Sequence, residues 1–181
     1  MRPFLFLSVA AFMLTSCQPQ GQGQGTNPTL DRNEFTVQAL ISTWASADTS
    51  LILDLFWPEA TYDDFPNQTT YEGLQEIVGY ITGVHDWGDD IYMNAGQIHA
   101  SESGAVAEWT FSALQRRPMG DLVSEGTGRE VVLNGVTIVE ILDGKILRAA
   151  DYMDTAPLML QLGARIELPG GTVLEWDDGG N

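Results

Sequence analysis

The stretch from Arg148 to Gly163, RAADYMDTAPLMLQLG, places two carboxylates, Asp151 and Asp154, among residues of apolar character. Its pattern predicts the end of a strand followed by a short apolar helix. Side chains alternate between the two faces of a strand, so Asp151 shares a face with Ala149 and Met153. Burial would raise the pKa of such a carboxyl, which could then take up a proton and return it. We therefore predict that Asp151 is a catalytic acid–base group in a cavity.

These two aspartates also admit structural roles. Asp151 could accept hydrogen bonds from loop amides or pair with an arginine such as Arg148 or Arg129. Asp154 directly precedes the helical pattern TAPL, and an aspartate in that position is a natural helix N-cap. We expect the capping role for Asp154 and leave both roles open for Asp151.

Asp64 is the second catalytic candidate, because it shares a strand face with Tyr62 and could divide acid and base duties with Asp151. The alternative is a solvated strand end. Five side chains of large or aromatic type are predicted to bind a flat apolar ligand by lining the cavity, although residues of these types also fill ordinary cores. They are Trp44, Tyr62, Tyr80, Trp109 and Met153.

Composition excludes several classes of function. The chain has 181 residues and a formal net charge of -17, which argues against nucleic-acid binding. Its one cysteine excludes an intramolecular disulfide, and its two histidines, His85 and His99, do not form a metal-binding spacing. Nucleotide-binding and nucleophile-elbow motifs do not occur in it. We expect neither a metal nor a cofactor.

The first residues predict export. Arg2 precedes an apolar stretch that is too short to span a bilayer, and this stretch ends in Leu14-Thr15-Ser16-Cys17. That ending resembles the lipobox of bacterial lipoproteins, which implies a signal peptide over 1–16 and a lipidated Cys17. The alternative is an ordinary secretory signal that contains a cysteine. A Gly- and Gln-rich segment follows, and we predict a flexible tether over 17–32.

The resemblance to lipoproteins implies a membrane anchor in the envelope of a Gram-negative bacterium. Gln18 after the cysteine, instead of an aspartate, resembles the pattern that is sorted to the outer membrane. Stable anchoring needs more than one acyl chain, which the lipidated cysteine of that family carries. The expected location is the periplasmic face of the outer membrane.

The rest of the chain predicts one α+β domain over 33–163 and a tail over 164–181. Asp31 and Glu34 have the spacing of a capping box ahead of a helix, and a further helix is predicted from about Tyr71. Two hairpins follow, the second turning at Asp143-Gly144, and the tail could add a small hairpin. Helices followed by consecutive hairpins indicate a curved antiparallel sheet with helices packed on its concave side. Such a cone-shaped fold encloses a cavity that suits a small hydrophobic molecule.

The segment from the E-W-T-F strand to the closing Q-L-G resembles the SnoaL-like polyketide cyclases of the nuclear transport factor 2-like superfamily. The shared features are a T-G-R loop, the DGKI turn and the D-Y-x-D strand end, and the resemblance covers about residues 33 to 163. It implies a cone-shaped fold, a general acid–base aspartate at the position of Asp151, and a homodimer formed through the open sheet face.

Two related chemistries fit the sequence less well. Limonene epoxide hydrolases need an Arg-x-Asp pair on an earlier strand, whereas the matching residues 108–111 are E-W-T-F. Ketosteroid isomerases use a tyrosine where Leu40 stands and an aspartate near the position of Asp64. Three hypotheses remain: an acid–base enzyme, a non-catalytic module that binds a hydrophobic ligand, and an interaction protein.

Overall fold

The computed structural model describes residues 27–121 and 123–177. The predicted signal peptide, Cys17 and residues 17–26 of the predicted tether lie outside the described residues. Within them, the order of elements is α1 (Pro28–Ser46), α2 (Thr49–Leu55), β1 (Phe56–Asp64), β2 (Thr69–Glu72), α3 (Gly73–Thr82), α4 (Val84–Trp87), β3 (Gly88–Ser101), β4 (Gly104–Gln115), β5 (Glu130–Leu142), β6 (Lys145–Met153), α5 (Thr155–Gln161), β7 (Ile166–Glu167) and β8 (Val173–Leu174).

The main sheet confirms the predicted fold class, with one difference in strand direction. Its order is β2-β1-β6-β5-β4-β3, and all neighbours pair antiparallel except β1 and β6, which run parallel. Parallel pairing requires a long connection between the two strands, and here it consists of β2, α3, α4, β3, β4 and β5. The parallel register sets Asp64 beside Asp151 and thus brings the two predicted catalytic carboxylates to one place.

The two predicted hairpins are confirmed. β3 pairs with β4 around residues 102–103, and β5 pairs with β6 around Asp143 and Gly144. Both turn residues have positive φ, 51° and 84°, which is the backbone geometry of the tight hairpin turns that asparagine, aspartate and glycine favour. The tail also forms its small hairpin, β7 with β8.

The helices pack on the concave side of the sheet. α1 buries one stripe of side chains, including Val37, Leu40, Ile41 and Trp44, against β3 and β4. The inward residues of β4 and β5 alternate with exposed ones, as expected for a sheet with one covered face. None of the helices in the described residues is both long and apolar enough to cross a membrane.

Two predicted helix starts were wrong. α1 begins at Pro28, so residues 28–32 of the predicted tether are helical, and its N-cap is Asn27 instead of Asp31. The Asn27 side chain accepts a hydrogen bond from the Thr29 amide at 3.1 Å, and proline is well suited to the first helical position. Tyr71 lies on β2, because pairing with Tyr62 of β1 extends the chain there before α3 begins.

We expect Asn27→Ala to lower the free energy of unfolding by about 1 kcal/mol, because it leaves the first amides of α1 without a side-chain acceptor. Denaturant titration followed by circular dichroism measures this. The comparison variant is Asp31→Ala, which removes an acidic side chain from the first turn but no cap. A larger loss for Asp31→Ala than for Asn27→Ala would contradict the assignment of the cap.

Candidate active site

A cavity of about 780 Å³ lies between the concave face of the sheet and the helices. Its mouth is formed by exposed residues, among them Asn67, Thr69, Glu76 and Gly120, and its inner part by buried and half-buried ones. The inner lining is mostly aromatic, aliphatic and thioether side chains: Trp44, Tyr80, Val84, Trp87, Met93, Trp109, Phe111, Leu133, Met153, Leu158 and Met159. This is the size and character of a small-molecule site.

The structure separates the predicted site residues into two layers. Asp64, Trp44, Tyr80, Trp109 and Met153 line the cavity. The other two, Asp151 and Tyr62, are absent from the lining and lie behind it, with exposed fractions of 3% and 0%. A ligand in this cavity therefore meets Tyr80 before it meets the carboxyl of Asp151.

In the hydrogen bonds that the structure records, every donor to the carboxyl of Asp151 is a hydroxyl group. Thr137 Oγ1 donates to Oδ1 at 2.5 Å, and Tyr62 donates its phenolic proton to Oδ2 at 3.0 Å. The hydroxyl of Tyr80 also donates to Oδ2, at a longer 3.4 Å. Arg148, one of the two arginines considered as a partner, pairs with Asp63 at 2.6 Å. Asp151 is thus a buried carboxyl whose direct partners carry no positive charge.

Burial raises the pKa of Asp151 to about 7. Loss of hydration is the largest cause; the hydrogen bonds from Thr137, Tyr62 and Tyr80 oppose it, and the nearby charge of Asp64 adds to it. Burial and the carboxyl of Asp151 also raise the pKa of both Tyr62 and Tyr80, so the two phenols keep their protons at neutral pH. A carboxyl that titrates near neutrality can serve as acid in one step and base in the next.

Trp109 connects the cavity wall to Asp151 from the other side. Its indole nitrogen donates to Thr137 Oγ1 at 2.9 Å, and the same oxygen donates to Asp151. Gly135, the cross-strand partner of Trp109, makes room for the ring: a Cβ at Gly135 would lie 2.2 Å from it. Trp109 therefore has a second task besides lining the cavity, which is to orient the hydroxyl of Thr137.

Aromatic rings support the hydroxyl of Tyr80. Tyr71 stacks on Tyr80 with a centroid distance of 4.3 Å, while Trp44 and Tyr62 each meet it edge to face at 5.0 Å. His85 supports Trp44 in turn, because its Nε2 lies within hydrogen-bond distance, 2.9 Å, of the backbone oxygen of Trp44. Contacts on several sides hold Tyr80 in one orientation.

Asp64 is 1% exposed and lies at the end of β1, where the chain turns. Its carboxylate accepts hydrogen bonds from the amide and the side-chain Nδ2 of Asn67, the latter at 2.7 Å. It also raises the pKa of Tyr71, after burial, which is the larger cause. The solvated strand end that was the alternative for Asp64 does not match its burial.

Asp154 caps α5, as expected, by accepting from the amide of Ala156 at 3.0 Å. His99 is exposed and lies near the turn between β3 and β4. Among the described residues, no group of three or more His, Cys, Asp or Glu side chains could hold a metal ion.

Sequence reasoning did not identify Thr137. The signal was present, because the inward positions of β5 from Val131 to Ile141 are otherwise apolar or glycine, and Thr137 is the polar exception. It also did not identify the methionines at positions 93, 119 and 159, which join Met153 in the cavity lining.

The family model for the SnoaL-like domain matches residues 37–149. The chain belongs to the SnoaL-like domain family. The match includes Asp64 and Thr137 and ends two residues before Asp151. Membership in the family therefore supports the fold, and the role of Asp151 has to be argued from the geometry of the site. A search of curated proteins finds no match to this sequence.

Solved structures agree on the fold. TsrD from Streptomyces laurentii is 22% identical with a TM-score of 0.65 over 77% of this chain and 98% of its own. A protein assigned as a SnoaL-like polyketide cyclase from Jannaschia sp. CCS1 is 16% identical with a TM-score of 0.69, and the match covers 77% of this chain and 97% of that one. An LEH-like epoxide hydrolase of M. tuberculosis is 15% identical with a TM-score of 0.60, and the match covers 75% of this chain and 92% of that one. One scaffold thus carries differing chemistry.

The raised pKa of Asp151 predicts a pH dependence of stability for this SnoaL-like domain. Between the ordinary aspartate value near 4 and about 7, the folded state holds a proton that the unfolded state has lost, so stability falls as the pH rises through this window. Asp151→Asn removes this dependence. The free energy of unfolding of the wild type, relative to that of the variant, should decrease by on the order of 4 kcal/mol from pH 4 to pH 8.

Denaturant titrations of both proteins across this range measure the difference, and the comparison cancels the titration of all other groups. A constant difference between wild type and Asp151→Asn would show that the Asp151 carboxyl titrates alike in the folded and unfolded chain.

Proposed function

We propose that this SnoaL-like protein is anchored by lipid in the cell envelope, binds a small hydrophobic molecule in the cavity, and performs acid–base chemistry on it through Asp151 and Tyr80. One observation carries the catalytic part: a buried carboxyl with a pKa of about 7 is hydrogen-bonded to a phenol that lines the cavity. Perturbed carboxyls of this kind cluster at functional sites.

Tyr80 is the group that would touch the substrate. Its oxygen can accept a proton from the substrate while its own proton passes to Oδ2 of the ionised Asp151 carboxylate, so that the net result is the transfer of one proton from the substrate to Asp151. The raised pKa of Tyr80 disfavours a free phenolate, so the two transfers occur together. Reversal of the same path returns the proton to another atom of the substrate, which completes an isomerisation or an intramolecular ring closure of a carbonyl compound.

Epoxide hydrolysis is not part of the proposal, although one similar structure is an epoxide hydrolase. The strand that should carry an arginine has Trp109, whose indole donates to Thr137. An indole and a threonine hydroxyl orient the carboxyl of Asp151 without supplying a positive charge, so they do not stabilise a developing alkoxide as an arginine does.

A non-catalytic binding module is the second candidate, and the position of Asp151 behind the lining favours it. The four methionines of the lining also favour binding, because flexible thioethers adapt to ligands of different shape. Both candidates share the cavity and differ in whether a proton is transferred.

The anchor part of the proposal depends on Leu14-Thr15-Ser16-Cys17 and the tether after it. Lipid on Cys17 would hold the domain at the periplasmic face of the outer membrane, where it would meet compounds from outside the cytoplasm. A literal polyketide cyclase acts in the cytoplasm on its precursors, so an isomerase or binding role for an external compound fits export better.

A homodimer through the outer face of the sheet completes the proposal. Tyr92, Val132, Ile138 and Tyr152 lie on this face and are between 36% and 55% exposed. Exposed apolar side chains on a single sheet face are typical of an interaction surface.

Acid–base chemistry can be tested with hydrophobic ketones in deuterium oxide, in which NMR follows exchange of the protons next to the carbonyl. We expect wild-type protein to accelerate exchange for at least one member of a panel. Asp151→Asn and Tyr80→Phe should each slow it about 10²-fold or more, while affinity for the neutral probe N-phenyl-1-naphthylamine changes little.

Asp54→Asn, which alters an exposed carboxyl of α2, is the control and should exchange protons at the wild-type rate. Equal exchange in wild type, Asp151→Asn and plain buffer, with intact probe binding, would favour the binding module over the enzyme.

Anchoring can be tested by Cys17→Ser expressed in the native host. Wild-type protein should fractionate with membranes and incorporate labelled palmitate, because the thiol carries part of the lipid. The variant should lose the label and appear in the soluble envelope fraction. Labelling of Cys17→Ser equal to that of wild type would contradict the lipobox.

A further inference from the structure

Charge is distributed unevenly around the cavity. Two carboxylates line it, Asp64 in the interior and Glu76 at the mouth, and a third, Asp151, lies directly behind Tyr80. Among the described residues that line it there is no arginine, lysine or histidine. A cleft with charges of one sign and low-dielectric walls concentrates the field, here a negative one.

Three arginines of the domain form ion pairs away from the cavity. Arg117 pairs with Asp89 at 2.8 Å and donates to backbone carbonyls of residues 85, 86 and 88. Arg148 pairs with Asp63 on the outer face, and Arg165 with Glu175 in the tail hairpin. These contacts occupy positive charge away from the cavity, so an acidic ligand would find no counter-ion on its lining.

The aromatic rings of the lining also favour a positively charged ligand over a negatively charged one. Six of the lining residues are aromatic: Trp44, Tyr71, Tyr80, Trp87, Trp109 and Phe111. The face of an aromatic ring carries partial negative charge and attracts ammonium groups, tryptophan most strongly. The thioethers of the four methionines are polarisable and add to a lining that favours a soft, positively charged ligand.

We propose that the molecule bound in this cavity is a hydrophobic organic cation, an amine protonated at neutral pH or a quaternary ammonium compound. The inference rests on the proposed function only in that the cavity binds a ligand. Its apolar part lies among the aromatic and methionine side chains, and its charged nitrogen lies within reach of Asp64 or Glu76. An anion of equal shape would be repelled by both carboxylates in a medium that screens charge poorly.

The test uses three probes that share a 2-naphthylmethyl group and differ in charge: (2-naphthylmethyl)trimethylammonium, 2-naphthylmethanol and the anion 2-naphthaleneacetate. Their affinities for the purified full-length protein are measured by calorimetry at neutral pH and moderate salt. We expect the cation to bind about tenfold more tightly than the alcohol, and the anion to bind more weakly than the alcohol.

Charge-removing variants locate the preference. Glu76→Gln, at the exposed mouth, and Asp64→Asn, in the interior, should each weaken binding of the cation about three- to tenfold and leave that of the alcohol nearly unchanged. Asp63→Asn is the matched control, because it makes the same change in net charge on the opposite face of β1 and should leave the ranking of the probes intact.

The possible outcomes of the binding measurements distinguish the preference for a cation from the proposed binding function. Equal or tighter binding of the alcohol or the acid, or an equal loss in Asp63→Asn, overturns the preference for a cation while leaving the cavity as a binding site. Failure of all three probes to bind counts against the proposed binding function itself. If Asp64→Asn does not fold, the wild-type ranking and Glu76→Gln still decide.

Discussion

The constraint on which the site depends is the burial of a carboxyl group without a cation. Asp151 is 3% exposed, and the hydroxyls of Thr137, Tyr62 and Tyr80 are its recorded partners. Removing a carboxylate from water is costly, and neutral donors compensate for this only in part. The remaining cost appears as a pKa near 7, so this carboxyl changes its protonation near neutral pH instead of carrying a permanent charge.

Each partner of Asp151 comes from a different element, so the fold as a whole is needed to build the group. Tyr62 is on β1, Thr137 on β5 and Tyr80 on α3. The parallel pairing of β1 with β6 brings the first into reach, and the antiparallel pairing of β5 with β6 places Thr137 directly opposite Asp151. The pairing of β1 with β6 also sets Asp64 beside Asp151 on one face of the sheet, and Asp64 lines the cavity while Asp151 lies behind the lining.

Local structure was largely predictable from the sequence. Asp143-Gly144 predicted its hairpin because few residue pairs adopt positive φ twice in succession, and Asp154 predicted its cap because its side chain reaches the amides just after it. The cap of α1 was misplaced because Asn27-Pro28 and Asp31-x-x-Glu34 are both acceptable starts. Tyr71 was misplaced because pairing with β1, a long-range contact, extends a segment that could otherwise begin a helix.

By itself the sequence determined the fold class, the two hairpins and the face on which Asp151 lies. These depend on turn chemistry and on periodicity, which act between neighbours in the chain. Only the tertiary structure decided that Asp151 stands behind Tyr80, that Thr137 joins it, and that carboxylates alone charge the cavity. Those facts depend on which strands pair and in what register, and a shift of one residue would turn every side chain of β6 to the other face.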